Sequence, residues 1–312
     1  MDNLIFSLNV VLPLVLLMFL GAFLRKIKIF DKDFLKKSNN FAFKVLLPFL
    51  LFNNIYNSEI SKKINLQFII FAISIVLITI GIMFIIVPKL EKDKRNIGVI
   101  IQGLYRSNFI LFGMPLCANI FGEEGAGVVT ALVAIIIPIY NFLAVVILNI
   151  FSGEKHNLSD TVISIVKNPL IIGTLLGIAA SILQINLPVA IEKTISDVAK
   201  TATPIALMAL GGEIEINNIW KNMKYIAWVT AGKLFIIPAI VILASVAFGY
   251  KGVELCALFC MVAPSTSVSS YTMAQQCDCN HELAGQFVFF STVVSPFSIF
   301  MFIFILKTVG LF

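Results

Sequence analysis

Apolar residues along this chain gather into ten long runs bounded by charges, glycines and prolines: 4–24, 38–57, 66–87, 96–120, 126–151, 165–183, 190–212, 224–248, 252–276 and 283–307. A bilayer core needs about 20 predominantly apolar residues per helix, so each run reads as a spanning helix. The expected fold is an all-α polytopic membrane protein. Composition agrees: of 312 residues 59% are hydrophobic and 13% charged, with 28 Phe. Soluble domains sit near 45–50% apolar and about 25% charged, which excludes an ordinary globular enzyme, a disordered chain and a secreted disulfide scaffold. Ten spans use about 200 residues and leave about ten per connection, so there is no room for a sizeable soluble domain.

The net charge of +6 points to topology and not to nucleic acid, because most cations lie between the apolar runs. The connections after runs 1, 3, 5 and 7 hold fourteen of them, including Arg25, Lys36, Lys89, Arg95, Lys167 and Lys221; the opposite side holds five, Lys62, Lys63, Lys193, Lys251 and Lys307. The cation-rich side is read as cytoplasmic, which puts both termini outside a cell membrane. No basic segment precedes the first run and Arg25 follows it, so it reads as a retained helix and not a signal peptide. Cys117, Cys256 and Cys260 fall in apolar runs and Cys277 and Cys279 in a connection. That last pair lacks a second half-site, so free thiols and no metal are expected, and no cofactor.

Four cations remain inside apolar runs: Lys44, Arg106, Lys200 and Lys233. A cation near the bilayer centre costs about 2.5–3.5 kcal/mol on insertion scales and marks a functional site unless it snorkels to an interface. Snorkelling is as good a reading as function for Lys44 and a poorer one for Arg106. A shift of 156 residues superimposes Pro13 on Pro169, Gly21 on Gly177, Lys44 on Lys200 and Pro48 on Pro204. Five spans is an odd number, so the halves 1–156 and 157–312 would enter from opposite sides as an inverted repeat, whose interface carries the substrate site in many transporters. Runs 4 and 9 are the most interrupted, at Arg106-Ser107-Asn108 followed by Gly113-Met114-Pro115, and at Pro264 through Ser270. Backbone freed at membrane depth is tolerated only where protein or a cavity satisfies it, so these runs are expected to be broken helices crossing near the centre. Their half-helix N-termini would favour an anion. The alternative is a pair of kinked packing helices with their hydroxyls bonded to their own backbone.

Several stretches together resemble the auxin efflux carrier family, within the wider superfamily of bile-acid and sodium symporters. They are Arg106-Ser107-Asn108 through Gly113-Met114-Pro115-Leu116 to Gly122-Glu123-Glu124-Gly125, Lys167-Asn168-Pro169-Leu170, Thr203-Pro204-Ile205-Ala206-Leu207 through Leu210-Gly211, and Pro264 through Ala274 to Glu282-Leu283-Ala284. The resemblance covers essentially the whole chain. It implies a scaffold of helices 1, 2, 6 and 7, a transport domain of helices 3–5 and 8–10 that moves like an elevator, and a homodimer. It also implies that the crossing of helices 4 and 9 holds an organic carboxylate. Asn108 matches the family's carboxylate-contacting Asn, Lys44 resembles a scaffold Lys of plant members, and Pro264 matches the break in helix 9. Ser107 stands where plant members have Pro, which allows a gentler break or one displaced toward Pro115. The short connection between runs 5 and 6 makes the chain similar to prokaryotic-type members, for which malate or malonate is as plausible as auxin.

The expected function is therefore secondary transport, in the export direction, of a small organic anion. Asn108, Lys44, Lys200, Arg106, Ser107, Ser265, Thr266, Ser267 and Asn141 are the candidate contacts, and Gly113, Pro115, Pro264, Pro48 and Pro204 the candidate helix breaks. Asp197 is placed to pair with Lys200 three residues on. Both histidines lie in connections, so proton coupling is not indicated, and a negative-inside potential supplies about 2.3 kcal/mol per exported charge per 100 mV. Sodium-coupled symport, using Ser269, Ser270, Thr272 and Gln275, is the second reading. A receptor without transport is a third. An intramembrane enzyme lacks a deep nucleophile and base. Asn157-Leu158-Ser159 is formally a glycosylation sequon but falls on the cytoplasmic side. Gly173-x3-Gly177 suits either a dimer contact or close packing within the scaffold.

Overall fold

The computed structural model describes residues 2–57, 65–152, 167–213 and 216–312. Among them the chain is helical apart from short connections and one isolated β-bridge. The helices are α1 (Asp2–Lys26), α2 (Lys32–Phe41), α3 (Leu47–Tyr56), α4 (Leu66–Leu90), α5 (Lys94–Tyr105), α6 (Met114–Ile150), α7 (Pro169–Ile182), α8 (Val189–Glu213), α9 (Ile216–Ala231), α10 (Ile237–Ala247), α11 (Gly252–Val262), α12 (Ser269–Gln276) and α13 (His281–Thr308). Within them Leu66–Leu90, Leu116–Ile150, Ile219–Ala247 and His281–Thr308 are long and apolar enough to cross a membrane. Large apolar side chains such as Leu77, Ile85, Leu243 and Phe304 stay exposed, as a surface facing lipid requires. The protein is a helical, multi-pass membrane protein. The sequon at 157–159 lies outside the described residues.

Three π-helical turns, Ala42–Leu46, Phe109–Gly113 and Gly232–Ile236, each end two residues before a proline: Pro48, Pro115 and Pro238. Proline has no N–H and its ring collides with the carbonyl four residues back. A π turn widens the helix by one residue there, and the helix continues. Pro48, Gly113 and Pro115 therefore do not mark breaks, contrary to expectation, and Pro204 lies inside the continuous α8. The long α6 is interrupted at Gly122, whose φ of 64° and ψ of −145° suit glycine.

Glycines close two helix pairs. A Cβ on Gly21 of α1 would overlap the backbone carbonyl of Met208 in α8, and one on Gly211 of α8 would overlap that of Met18. A Cβ on Gly177 of α7 would come 3.1 Å from the Phe52 carbonyl, and one on Gly173 would come 2.6 Å from that of Pro48. Gly173 and Gly177 thus pack within the chain, against α3. The Gly21–Met208 and Gly177–Phe52 contacts pair residues that the 156-residue shift exchanges.

Candidate functional site

The breaks lie at 106–108 and 263–268. Arg106 leaves α5 with extended backbone (φ −78°, ψ 120°), and no displacement of the break toward Pro115 occurs. The two interruptions meet as an antiparallel bridge between Ser107 and Thr266, with Asn108 N–H donating to the Ser265 carbonyl at 2.8 Å. Ser107 Oγ donates to the Pro264 carbonyl at 3.2 Å, Thr266 Oγ1 to the Gly103 carbonyl at 2.9 Å, and Thr266 N–H to Ser291 Oγ at 3.0 Å. Backbone released from helix is thereby satisfied inside the protein, as membrane depth demands.

Beside this crossing is a cavity of about 70 Å³, room for several waters or a small anion. On one side it is lined by Leu47, Leu50, Leu51 and Asn54 of α3, Leu170 of α7, and Thr203 and Ala206 of α8. Opposite stand residues 106–110, Ile137, Tyr140, Asn141 and residues 267–269. The N-terminus of α12 opens on it at Ser269, so the positive end of that helix dipole faces inward.

Arg106 is 4% exposed. Its Nη2 donates to Asn141 Oδ1 at 2.5 Å and to Ser269 Oγ at 2.7 Å, and Nη1 touches Met273 Sδ. With its amide turned to satisfy both ends, Gln102 accepts from Nη1 at 3.2 Å and donates to the Ser270 carbonyl at 3.3 Å. Among the described residues no carboxylate pairs with this guanidinium. The amide nitrogens of Asn54, Asn108 and Asn141, all residues of the wall, have no hydrogen-bond partner among the described residues. A buried cation with three free amide donors is the complement of a group that only accepts, and an ionised carboxylate is such a group.

The expected contacts divide accordingly. Arg106, Ser107, Asn108, Asn141 and Ser267 line the cavity. Ser265 and Thr266, 0% and 1% exposed, lie behind the wall, where the Thr266 hydroxyl and the Ser265 carbonyl hold the crossing together. Lys44 and Lys200 stand outside the cavity; Lys44 is exposed, and Lys200 is bridged to Asp197 at 3.6 Å. Lys233 is fully buried and donates to the Val262 carbonyl at 3.0 Å, at the negative end of α11. Asn54 and Tyr140 are lining residues that the sequence does not mark, and Thr203 stands there only within a stretch of the resemblance; Asn54 follows Asn53 near the end of an apolar run, where an amide looks interfacial.

A larger cavity of about 560 Å³ opens among Arg25, Lys36, Arg95, Glu213, Asp278 and His281. Within it Arg95 is bridged to Asp278 at 2.5 Å, His281 Nε2 lies 3.8 Å from a Glu213 carboxylate oxygen, and Arg25 donates to the Phe30 carbonyl at 3.2 Å. Nearby, burial pushes the Cys277 and Cys279 thiols up to about 12, and Cys279 Sγ donates to the Leu148 carbonyl at 3.5 Å.

The family model described as "Membrane transport protein" matches residues 6–303. A protein of Rhizobium meliloti (strain 1021) that carries the name "Putative malonate transporter" is 21% identical over 294 residues, covering 92% of each chain.

Proposed function

The chain belongs to the Membrane transport protein family, and from that premise we propose that it carries a small organic anion of the mono- or dicarboxylate class. The observation that carries this reading is the buried Arg106 guanidinium, without a carboxylate partner among the described residues and beside three amide donors in one cavity. A bound carboxylate supplies the missing counter-charge. The name of the 21% identical relative makes malonate the first compound to try.

In this reading the two halves form an inverted repeat of five spans each, both termini lie outside the cell, and the cavity sits where the repeats meet. The exchange of Gly21–Met208 with Gly177–Phe52 under the half-length shift supports it. Helices α1, α2, α3, α7 and α8 form the scaffold and the remaining helices the moving domain. The cavity is lined from both sets, as an elevator that carries its substrate past a fixed wall requires. Arg106 and Asn108 bind the carboxylate; Asn141 orients the guanidinium; Lys44 and Lys200 act at most at long range. Export follows the membrane potential as a uniport. Sodium-coupled symport remains the second reading: Ser269 Oγ already holds the Arg106 guanidinium, while Ser270 Oγ and Thr272 Oγ1 are buried without a hydrogen-bond partner among the described residues.

Thermal shift of the purified protein against malonate, malate, monocarboxylates, indole acids and Na+ tests this reading, since a ligand of the folded state raises the melting temperature. Stabilisation by a carboxylate without sodium is expected. Stabilisation only with sodium present selects the symporter, and tight binding without flux in liposomes selects a receptor.

A further inference from the structure

Packing brings together three thiols that the sequence keeps apart. Cys256 and Cys260, four residues apart on α11, share one helix face, and Cys117 reaches them from α6. All three are 0% exposed, their Sγ atoms lie within 4.8 Å of one another, and Cys256 and Cys260 are 4.0 Å apart at sulfur. We propose that Cys117, Cys256 and Cys260 form a binding site for a soft divalent d10 metal ion, distinct from the anion cavity.

Three observations select this over other uses of the thiols. A disulfide requires sulfurs at about 2.05 Å, half the separation found between Cys256 and Cys260. Three thiolates around an ion at about 2.3 Å stand about 3.8–4.0 Å apart, so the spacing needs little adjustment. The surroundings are apolar: Phe312 packs on Phe121 and Phe259 with ring centroids 5.8 and 6.4 Å away, and the Gly252 N–H bond to the Leu311 carbonyl fastens the C-terminus beside α11. Sulfur without oxygen ligands favours soft ions over hard ones. Binding replaces three S–H protons, which leave to solvent, by three metal–sulfur bonds, and gives a complex of net charge minus one. Because Cys117 and the α11 pair belong to different elements, the ion staples the second half of one broken element to the first half of the other.

The test is a Cd(II) titration of the reduced, metal-free, full-length protein in detergent. Expected are one ion per chain, a thiolate-to-metal charge-transfer band, and a rise in melting temperature. The affinity should fall by more than about 100-fold in Cys117→Ala and Cys256→Ala, beyond what loss of a supporting contact causes, and stay unchanged in Cys277→Ala and Cys279→Ala. Should the core variants fail to fold, X-ray absorption at the cadmium edge on the unaltered protein decides: three sulfur ligands support the site. Oxygen or nitrogen coordination, absence of binding, or loss of binding in the Cys277→Ala or Cys279→Ala variant overturns it.

Discussion

The two interruptions face each other across the crossing, yet they are built from different chemistry. The first, at 106–108, takes three residues and presents a guanidinium and an amide to the cavity, with the Ser107 hydroxyl bonded to the Pro264 carbonyl. The second, at 263–268, takes six, and its hydroxyls Ser265 and Thr266 are turned into protein. Only its end, at Ser267 and Val268, reaches the cavity, together with Ser269 at the positive end of α12. Two matching breaks can thus serve different ends. In the proposed function one offers charge to the anion, while the other supplies the Pro264 and Ser265 carbonyls and the Thr266 hydroxyl that hold the crossing together.

Substitutions separate the two roles. Arg106→Met should have the largest effect on carboxylate affinity, about 2–5 kcal/mol, as for truncating one partner of a buried charge pair. Titration calorimetry reads this, and an unchanged Kd would remove Arg106 from the site. Asn108→Ala removes a donor to a charged acceptor and should cost about 1.5–3 kcal/mol of affinity while the melting temperature of the unliganded protein stays nearly constant. Thr266→Val inverts that pattern. It breaks the bond to the Gly103 carbonyl, so stability should fall by about 1–3 kcal/mol with affinity for the anion retained by the folded fraction. Lys44→Ala is the smallest: an exposed side chain outside the cavity should change stability by less than about 0.5 kcal/mol and leave affinity unchanged. A large loss of binding there would bring the scaffold lysine back into the site.

Both breaks were legible in the sequence because polar residues and proline inside an apolar run leave few alternatives to a cavity-lining interruption. The pull of Gly113 and Pro115 was misleading, since a π turn absorbs a proline without breaking the helix. Lys44 and Lys200 stood beside Arg106 among the candidate contacts because position along a run measures depth and says nothing about which way a side chain points. Arg106 turns into the protein; Lys200 turns out and pairs with Asp197. Asn54 and the three-thiol cluster were hidden for a related reason: each becomes significant only when helices distant in sequence pack together.

The most direct measurement is flux of labelled malonate and other small carboxylates from liposomes containing the purified protein, at an imposed potential, for the unaltered chain and for Arg106→Met. Carriage through the Arg106 cavity predicts potential-driven carboxylate efflux that needs no sodium and collapses in the variant. Absence of carboxylate flux, or flux that Arg106→Met leaves intact, would contradict it.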